Sequence, residues 1–329
     1  MLTHNKMLVI YIAAPIAIIA ILIALFWISI LLCGKNSLKS STVTPQRLIE
    51  YSMEELRQAT NNFDMDNTIG HGSHGTVYTG LIKDMPVVIK REWCSPQPRF
   101  LDEVSYIQHK NLVNLLGYCC DDENQSLVFE YMVNGSVRDY LGESSDLTFK
   151  KRISIALDAA KGLLHLHNLD PPVQHKRFTA SKVLLDANLN AKVSDGAMLG
   201  LLQASDIHLA NPRGGSEETI DVYSFGLFLL ELITCQNPGL LQSDYEVLQW
   251  ISPRLFTNTF WDKNIPAETF TRPSFQAYLI ITSECLEYPP INRPKMDVVV
   301  TELETIYLNV ISENHEVSLG SELFNITIE

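Results

Sequence analysis

The sequence predicts an α+β chain with a bilobal domain, in which a β-rich lobe precedes a helical lobe, and with one transmembrane helix ahead of that domain. Three observations predict this arrangement. Residues 7–33 carry no charged side chain, short β-branched and aromatic runs dominate residues 68–131, and helical periodicity prevails from residue 149 onward. Because no repeat interrupts them, the roughly 250 residues after position 60 form one large domain or two intimate lobes.

The composition excludes several classes of protein. The chain has 329 residues, is 46% hydrophobic, and carries 25 Lys and Arg against 38 Asp and Glu. This apolar content is ample for a core, and six scattered cysteines without a CxxC pair do not make a disulfide framework. A net charge of -13 argues against a nucleic-acid partner, because phosphate binding depends on clustered Lys and Arg. Proteins, nucleotides or a membrane are the expected partners.

The uncharged run at residues 7–33 predicts a membrane anchor. As a helix rising about 1.5 Å per residue, it exceeds the roughly 30 Å of bilayer hydrocarbon. A cleaved signal peptide is the alternative, but its apolar region is typically about 7–15 residues long. Lys35, Lys39 and Arg47 follow the run, so the positive-inside rule favours a cytoplasmic C-terminal part. We therefore expect a single-pass protein, of the plasma membrane, with its large domain in the cytoplasm.

Ser52 and Glu55 form a capping-box pattern, which predicts a helix through residues 53–60. This helix precedes the β-rich part of the chain. The expected organisation is a short extracytosolic N-terminus (1–6), a transmembrane helix (7–33), a juxtamembrane segment (34–60), a large domain (61–310) and a C-terminal tail (311–329).

Residues 70–77 read GHGSHGTV and match the pattern G-x-G-x-x-G-x-V. Glycines in such a loop let backbone amides approach phosphates without an intervening side chain. They are Gly70, Gly72 and Gly75. The pattern alone is weak evidence, but Lys90 follows in a predicted strand, and Glu103 lies in a predicted helix at residues 100–108, where an ion-pair partner of that lysine belongs. Together they predict a nucleotide site.

From about residue 51 to residue 308 the sequence resembles the protein kinases, and in particular the plant receptor-like kinases. The resemblance is carried by YSMEELRQATNNF at 51–63, NLVNLLGYC at 111–119, DVYSFG at 221–226 and INRPKM at 291–296. It implies a bilobal protein-kinase-like fold with ATP as ligand. The adenine would lie under Val77 and Val88 and reach Met132 in the connecting segment. Val88 stands where the family usually has Ala, so its extra methyl groups crowd the ring.

The resemblance also shows where the catalytic loop is altered. Residues 175–182 read HKRFTASK and stand where the family has H-R-D-L-x-x-x-N. Arg177 therefore takes the place of the catalytic base, and a guanidinium cannot accept a proton. Lys182 takes the place of the metal-binding Asn, and Thr179 replaces the usual lysine. Asp195 is retained as one magnesium ligand, so the resemblance leaves ATP expected and Mg²⁺ in question.

Two further departures follow Asp195. Gly196 and Ala197 stand where Phe and Gly are expected, and the stretch up to Asp221 is shorter than the family's activation segment. Residues 211–213 read NPR in place of A-P-E, which puts Arg213 where a Glu should pair with Arg293. These changes predict damage to the peptide-docking platform in addition to the loss of the base.

The sequence therefore predicts a membrane-anchored receptor-like pseudokinase without an ectodomain, which acts as a scaffold or allosteric partner of active receptor-like kinases or other signalling proteins. One alternative is a weak serine/threonine kinase, because kinase catalysis depends largely on positioning and charge. Another is a nucleotide sensor that binds ATP without consuming it. Within the cleft, Arg177 and Lys182 are both expected to form ion pairs with Asp195.

Overall fold

A six-stranded sheet forms the N-terminal part of the described chain. The computed structural model describes residues 48–72, 75–92, 107–121, 124–143, 147–195, 217–238, 265 and 272–326. The strands are β1 (Ile49–Glu50), β2 (Thr68–Gly72), β3 (Gly75–Ile82), β4 (Met85–Glu92), β5 (Leu115–Asp121) and β6 (Asn124–Glu130), in the order β1-β5-β6-β4-β3-β2. β1 runs parallel to β5, and the other described pairs are antiparallel.

Helix α1 (Met53–Ala59) begins with the capping box that the sequence predicts. The Ser52 hydroxyl accepts a hydrogen bond from the backbone N–H of Glu55 at 3.2 Å, and the Glu55 carboxylate accepts one from the Ser52 N–H at 2.8 Å. Leu56 of this helix is fully buried against Val87 and Ile89 of the sheet. The helix ahead of the sheet is therefore part of the core of the β-rich lobe.

Replacing Ser52 by alanine tests this cap. We expect the free energy of unfolding to fall by about 1 kcal/mol, because one backbone N–H of the first turn loses its acceptor. Ser52→Thr, which keeps the hydroxyl, is the matched control and should lose less. Urea unfolding followed by far-UV circular dichroism measures both variants, and equal midpoints for Ser52→Ala and the parent chain would contradict the role given to the cap.

After β6, the described chain consists of helices and one small β-hairpin. Its helices are α2 (Val137–Glu143), α3 (Phe149–His167), α4 (Glu217–Thr234), α5 (Arg272–Cys285) and α6 (Met296–Ile326), and its hairpin pairs β7 (Val183–Leu185) with β8 (Ala191–Val193). The predicted strands are confirmed, and so is the helical periodicity expected from residue 149 onward, which is clearest at 153–164 and 223–232. The helix expected at 100–108 lies mostly outside the described residues.

Helix α3 is the centre of this helical lobe. Its inner face buries Ile153, Ala156, Ala160 and Leu163 completely. Gly162 lets the helix approach its neighbours closely, because a Cβ atom there would lie 2.7 Å from the Asn111 carbonyl oxygen and 2.9 Å from Val193. Close contact on this side brings the hairpin strand β8 and the chain leading to β5 against the same helix.

The predicted transmembrane span at residues 7–33 lies outside the described residues. Among the helices that are described, none has both the length and the apolar content required to cross a membrane. Helix α6 continues to Ile326, through most of the segment expected to be a C-terminal tail.

The ring of His109, which precedes β5, stacks on the ring of His165 in helix α3. The ring centroids of His109 and His165 lie 4.8 Å apart, with 14° between the ring planes. Burial lowers the pKa of His109 to about 4, and the charges of His165, Lys110 and Lys161 act in the same direction. Burial also lowers the pKa of His165. Both rings are therefore neutral in the folded protein at pH 7.

This stack predicts a loss of stability in acid. The unfolded chain binds protons on His109 near its ordinary pKa of 6.5, whereas the folded chain does so only near 4, so stability falls as the pH drops through that window. His175, whose pKa burial also lowers, acts with the same sign. We expect His109→Phe to reduce the shift of the urea midpoint between pH 7.5 and pH 5 by more than a matched replacement of the exposed His71 by Phe does. An unaltered shift in His109→Phe contradicts the assignment.

Candidate functional site

A cleft of about 440 Å³ lies between the sheet and the β7–β8 hairpin. Val77 of β3 and Val88 of β4 line it from the sheet, and Leu184 of β7 lines it from the hairpin. The segment that joins β6 to α2 closes one side through Tyr131 and Met132. Aliphatic side chains on two sides and the connecting segment on a third make a slot suited to a flat, partly polar ring such as adenine.

The structure brings most of the predicted nucleotide residues to this cleft. Those that line it are Gly70, Val77, Val88, Lys90 and Met132, and they are joined there by Lys182 of the altered loop and by Asp195, the predicted metal ligand. Gly72 and Gly75 pair with each other at the end of β2 and the start of β3. Glu103 lies outside the described residues. Leu184 was missed by the sequence analysis, although it lies in the hydrophobic run directly after the catalytic-loop pattern.

Glu130, which lines the cleft at the start of the connecting segment, is held by Lys192 and Asn114. The carboxylate of Glu130 accepts two hydrogen bonds from the Lys192 ammonium, at 2.7 and 2.8 Å, and one from the backbone N–H of Asn114 at 2.7 Å. Nearby, Asp139 accepts a hydrogen bond from the Ser136 hydroxyl at 2.5 Å. The two carboxylates at this side of the cleft therefore already have partners.

Asp195 also lines the cleft and lies next to two lysines. The Lys182 ammonium donates to one oxygen of its carboxylate at 2.5 Å, and the Lys90 ammonium lies 3.9 Å from the other. Burial raises the pKa of Asp195, but the positive charges of Lys90 and Lys182 outweigh it, so the net pKa is lowered. Asp195 is therefore ionised at neutral pH.

The backbone explains why Lys182 meets Asp195. The carbonyl oxygen of Lys182 accepts hydrogen bonds from both the N–H and the hydroxyl of Ser194, at 2.8 and 3.2 Å. This pairing sets the lysine beside the residue that precedes Asp195. A lysine at position 182 has the reach to place its ammonium on the carboxylate, where the family has an amide.

The expected ion pair between Arg177 and Asp195 is wrong. In the described part of the chain the ion pairs of Asp195 are with Lys90 and Lys182, and the side chain of Arg177 is exposed. A guanidinium in solvent keeps its hydration, whereas one drawn towards a largely buried carboxylate that already has two cations would lose it. Thr179 is also exposed, and its hydroxyl lies 2.9 Å from that of Ser181.

Asp221 of α4 holds the loop in shape. Its fully buried carboxylate accepts hydrogen bonds from the backbone N–H groups of His175 and Lys176, at 2.7 and 2.8 Å, and lies 2.9 Å from Nε2 of His167. Lys176 has a φ of 64°, in the left-handed region that side chains other than glycine rarely adopt. The contact of His167 with Asp221, which lies 54 residues further along the chain, carries no local signal in the sequence.

Three of the residues at which the sequence departs from the kinase pattern lie outside the described residues. They are Gly196, Ala197 and Arg213. Arg293 is described and nearly buried. Its guanidinium donates to the backbone carbonyls of Glu287 at 2.9 Å and Thr219 at 3.0 Å.

The residues near Asp195 do not fit a magnesium ion. Mg²⁺ requires about six oxygen ligands in octahedral geometry. Lys182 brings an ammonium, which has no lone pair to offer, to the carboxylate that should bind the ion. Within the described ranges, no cluster of three or more His, Cys, Asp or Glu side chains is arranged to hold a metal.

Comparison with known proteins agrees with this architecture. A family model described as protein tyrosine and serine/threonine kinase matches residues 63–303. A probable leucine-rich repeat receptor-like protein kinase of Arabidopsis thaliana is 32% identical over 305 residues, covering 83% of this chain and 32% of the relative. The probable serine/threonine-protein kinase PBL12 of the same plant is 33% identical over 308 residues, covering 81% of this chain and 72% of the relative.

The fold is also found among solved structures. The structure of an apo pseudokinase matches with a TM-score of 0.66 and 23% sequence identity, covering 80% of this chain and 95% of that one. At this identity the match shows the fold alone. The chain spans about a third of the length of the receptor-like relative and most of PBL12. Because the family match covers most of its length, the chain belongs to the protein tyrosine and serine/threonine kinase family, with relatives among the receptor-like and PBL kinases of Arabidopsis.

Proposed function

We propose that this chain is a pseudokinase, a protein with the kinase fold that does not transfer phosphate efficiently. The observation that carries the proposal is the contact of the Lys182 ammonium with Asp195 at 2.5 Å, in a loop whose base position holds Arg177. The contact places a cation of the protein on the carboxylate that should bind metal. Arg177 cannot accept the proton of a substrate hydroxyl.

The intact scaffold around these changes supports a binding role. Asp221 still holds the loop, and α3 and α4 still bury a continuous apolar core. A chain that keeps its packing while its reactive groups are replaced is suited to present a surface to a partner. We therefore propose that it acts as a scaffold or allosteric partner of active receptor-like kinases or other signalling proteins.

Phosphotransfer from labelled ATP tests the loss of activity directly. The purified chain is assayed with magnesium and with manganese, beside a Lys90→Met variant in which the strand lysine is removed. We expect incorporation no greater than in that variant. Clear incorporation that depends on Lys90 would show that the chain is a weakly active serine/threonine kinase and that another residue orients the substrate hydroxyl.

We also propose that residues 7–33 anchor the chain in a membrane. Extraction of membranes with alkaline carbonate tests this proposal. The support is the absence of charge in this run and the lysines that follow it. The expected result is retention in the membrane pellet, and loss of retention when Ile19 and Leu22 are both replaced by Arg. Release of the parent chain by carbonate would contradict the anchor.

A nucleotide sensor is the second candidate function. It is favoured by the cleft, which keeps about 440 Å³ of space and the apolar lining given by Val77, Val88 and Leu184. A sensor binds nucleotide without consuming it. The absence of any shift in melting temperature with ATP, both with and without magnesium, would exclude this function.

A further inference from the structure

The Lys182 ammonium can bind a ligand in the cleft in addition to its contact with Asp195. The ammonium has three N–H donors, and its contact with Asp195 uses one of them. The side chain lines the cleft and is 36% exposed, so the remaining donors are accessible. A phosphate oxygen that enters the cleft therefore finds a cation already in place.

The other charges of the cleft do not compete for Lys182. The Glu130 carboxylate is bonded to Lys192, and the Asp139 carboxylate is bonded to Ser136. The contact with Asp195 holds the lysine, whose side chain lines the cleft and remains partly exposed. This carboxylate therefore positions the ammonium, as it would position a metal ion in an active relative.

We propose that the cleft binds a nucleoside polyphosphate without a divalent metal ion, with the Lys182 ammonium supplying the positive charge at the phosphates. A divalent ion is then disfavoured, because it would share one carboxylate with an ammonium of like charge. The proposal rests on the pseudokinase assignment, since a catalytically competent kinase requires the metal.

Calorimetric titration of the full chain with ATP tests the proposal, in EDTA and in 5 mM MgCl₂. We expect the dissociation constant in EDTA to be equal to that in magnesium within about threefold, or lower, because phosphate binding relies on charge-assisted hydrogen bonds from the protein. Adenosine serves as the control ligand without phosphates. Binding that appears only with magnesium overturns the proposal.

Lys182→Asn, which restores the residue of the family, is the decisive variant. In EDTA it should bind ATP at least about tenfold more weakly than the parent chain, and magnesium should recover part of the loss. Adenosine binding should not change. Lys150→Asn in the first turn of α3 is the matched control, because Lys150 does not line the cleft.

Two further outcomes also overturn the proposal. If the parent chain does not bind ATP but Lys182→Asn does, the contact between Lys182 and Asp195 closes the cleft instead of preparing it. If neither chain binds ATP in either buffer, the cleft is not a nucleotide site. The phosphotransfer assay is read separately, so these failures leave the pseudokinase assignment in place, whereas magnesium-dependent phosphotransfer would remove both.

Discussion

Replacing Asp221 by alanine is expected to lower the free energy of unfolding by about 3–5 kcal/mol. The side chain is fully buried and accepts hydrogen bonds from two backbone N–H groups of the loop, those of His175 and Lys176. Alanine leaves these donors in the interior without the acceptor they now have. It also removes the contact that holds His167.

Urea unfolding followed by far-UV circular dichroism measures this effect. Asp221→Asn should lose less than Asp221→Ala, because its side-chain carbonyl still accepts one of the hydrogen bonds. The matched control is Asp66→Ala at an exposed position, which should stay within about 0.5 kcal/mol of the parent chain. A loss below about 1 kcal/mol in Asp221→Ala would mean that the loop does not depend on this carboxylate.

The same variant separates loop shape from loop chemistry. The left-handed backbone at Lys176 persists in the folded chain because the surrounding hydrogen bonds determine it. Arg177 and Lys182 replace the reactive side chains of the family's loop, but Asp221 still holds the backbone that carries them. We therefore expect Asp221→Ala to weaken ATP binding as well, since it disturbs the segment that carries Lys182.

The elements of this fold were predictable where the signal is local. The capping box at Ser52 and Glu55 involves residues three positions apart, and it gave the start of α1 correctly. The same holds for α3, because the apolar residues that it buries recur in the sequence at helical spacing. Neither prediction needed knowledge of a distant partner.

The side-chain pairings of the site were predictable only in part. Lys182 meets Asp195 as expected, because a hairpin brings neighbouring positions together. Arg177 does not, because its direction depends on a loop backbone held by Asp221, which is 46 residues from His175 in the chain. The pair of Glu130 and Lys192, 62 residues apart, carries no local signal.

Arg152 gives the second large effect. Its side chain is fully buried in α3, and its guanidinium donates to the carbonyl oxygen of Leu147 at 2.9 Å and to that of Leu232 at 2.5 Å. Leu232 lies in the last turn of α4, the helix whose first half carries Asp221. Arg152 and Asp221 therefore fix the two ends of the same helix.

Arg152→Met is expected to lower the free energy of unfolding by about 2–4 kcal/mol. Replacing a buried ionic group by an apolar one can be neutral when both partners are replaced, but here the acceptors are backbone carbonyls, which remain and lose their donor. Arg152→Lys should lose less, since an ammonium still reaches one carbonyl. The exposed Arg57→Met on α1 controls for the loss of charge.

The pair of variants also shows whether α4 acts as a single support. Arg152 and Asp221 share no hydrogen-bond partner in the contacts described above, so independent effects on unfolding should add within about 0.5 kcal/mol in the double variant Arg152→Met with Asp221→Asn. A double variant that loses clearly less than the sum means that releasing one end of the helix already frees the other. In that case the loop that carries Arg177 and Lys182 depends on the packing of the whole helix, and not on the Asp221 carboxylate alone.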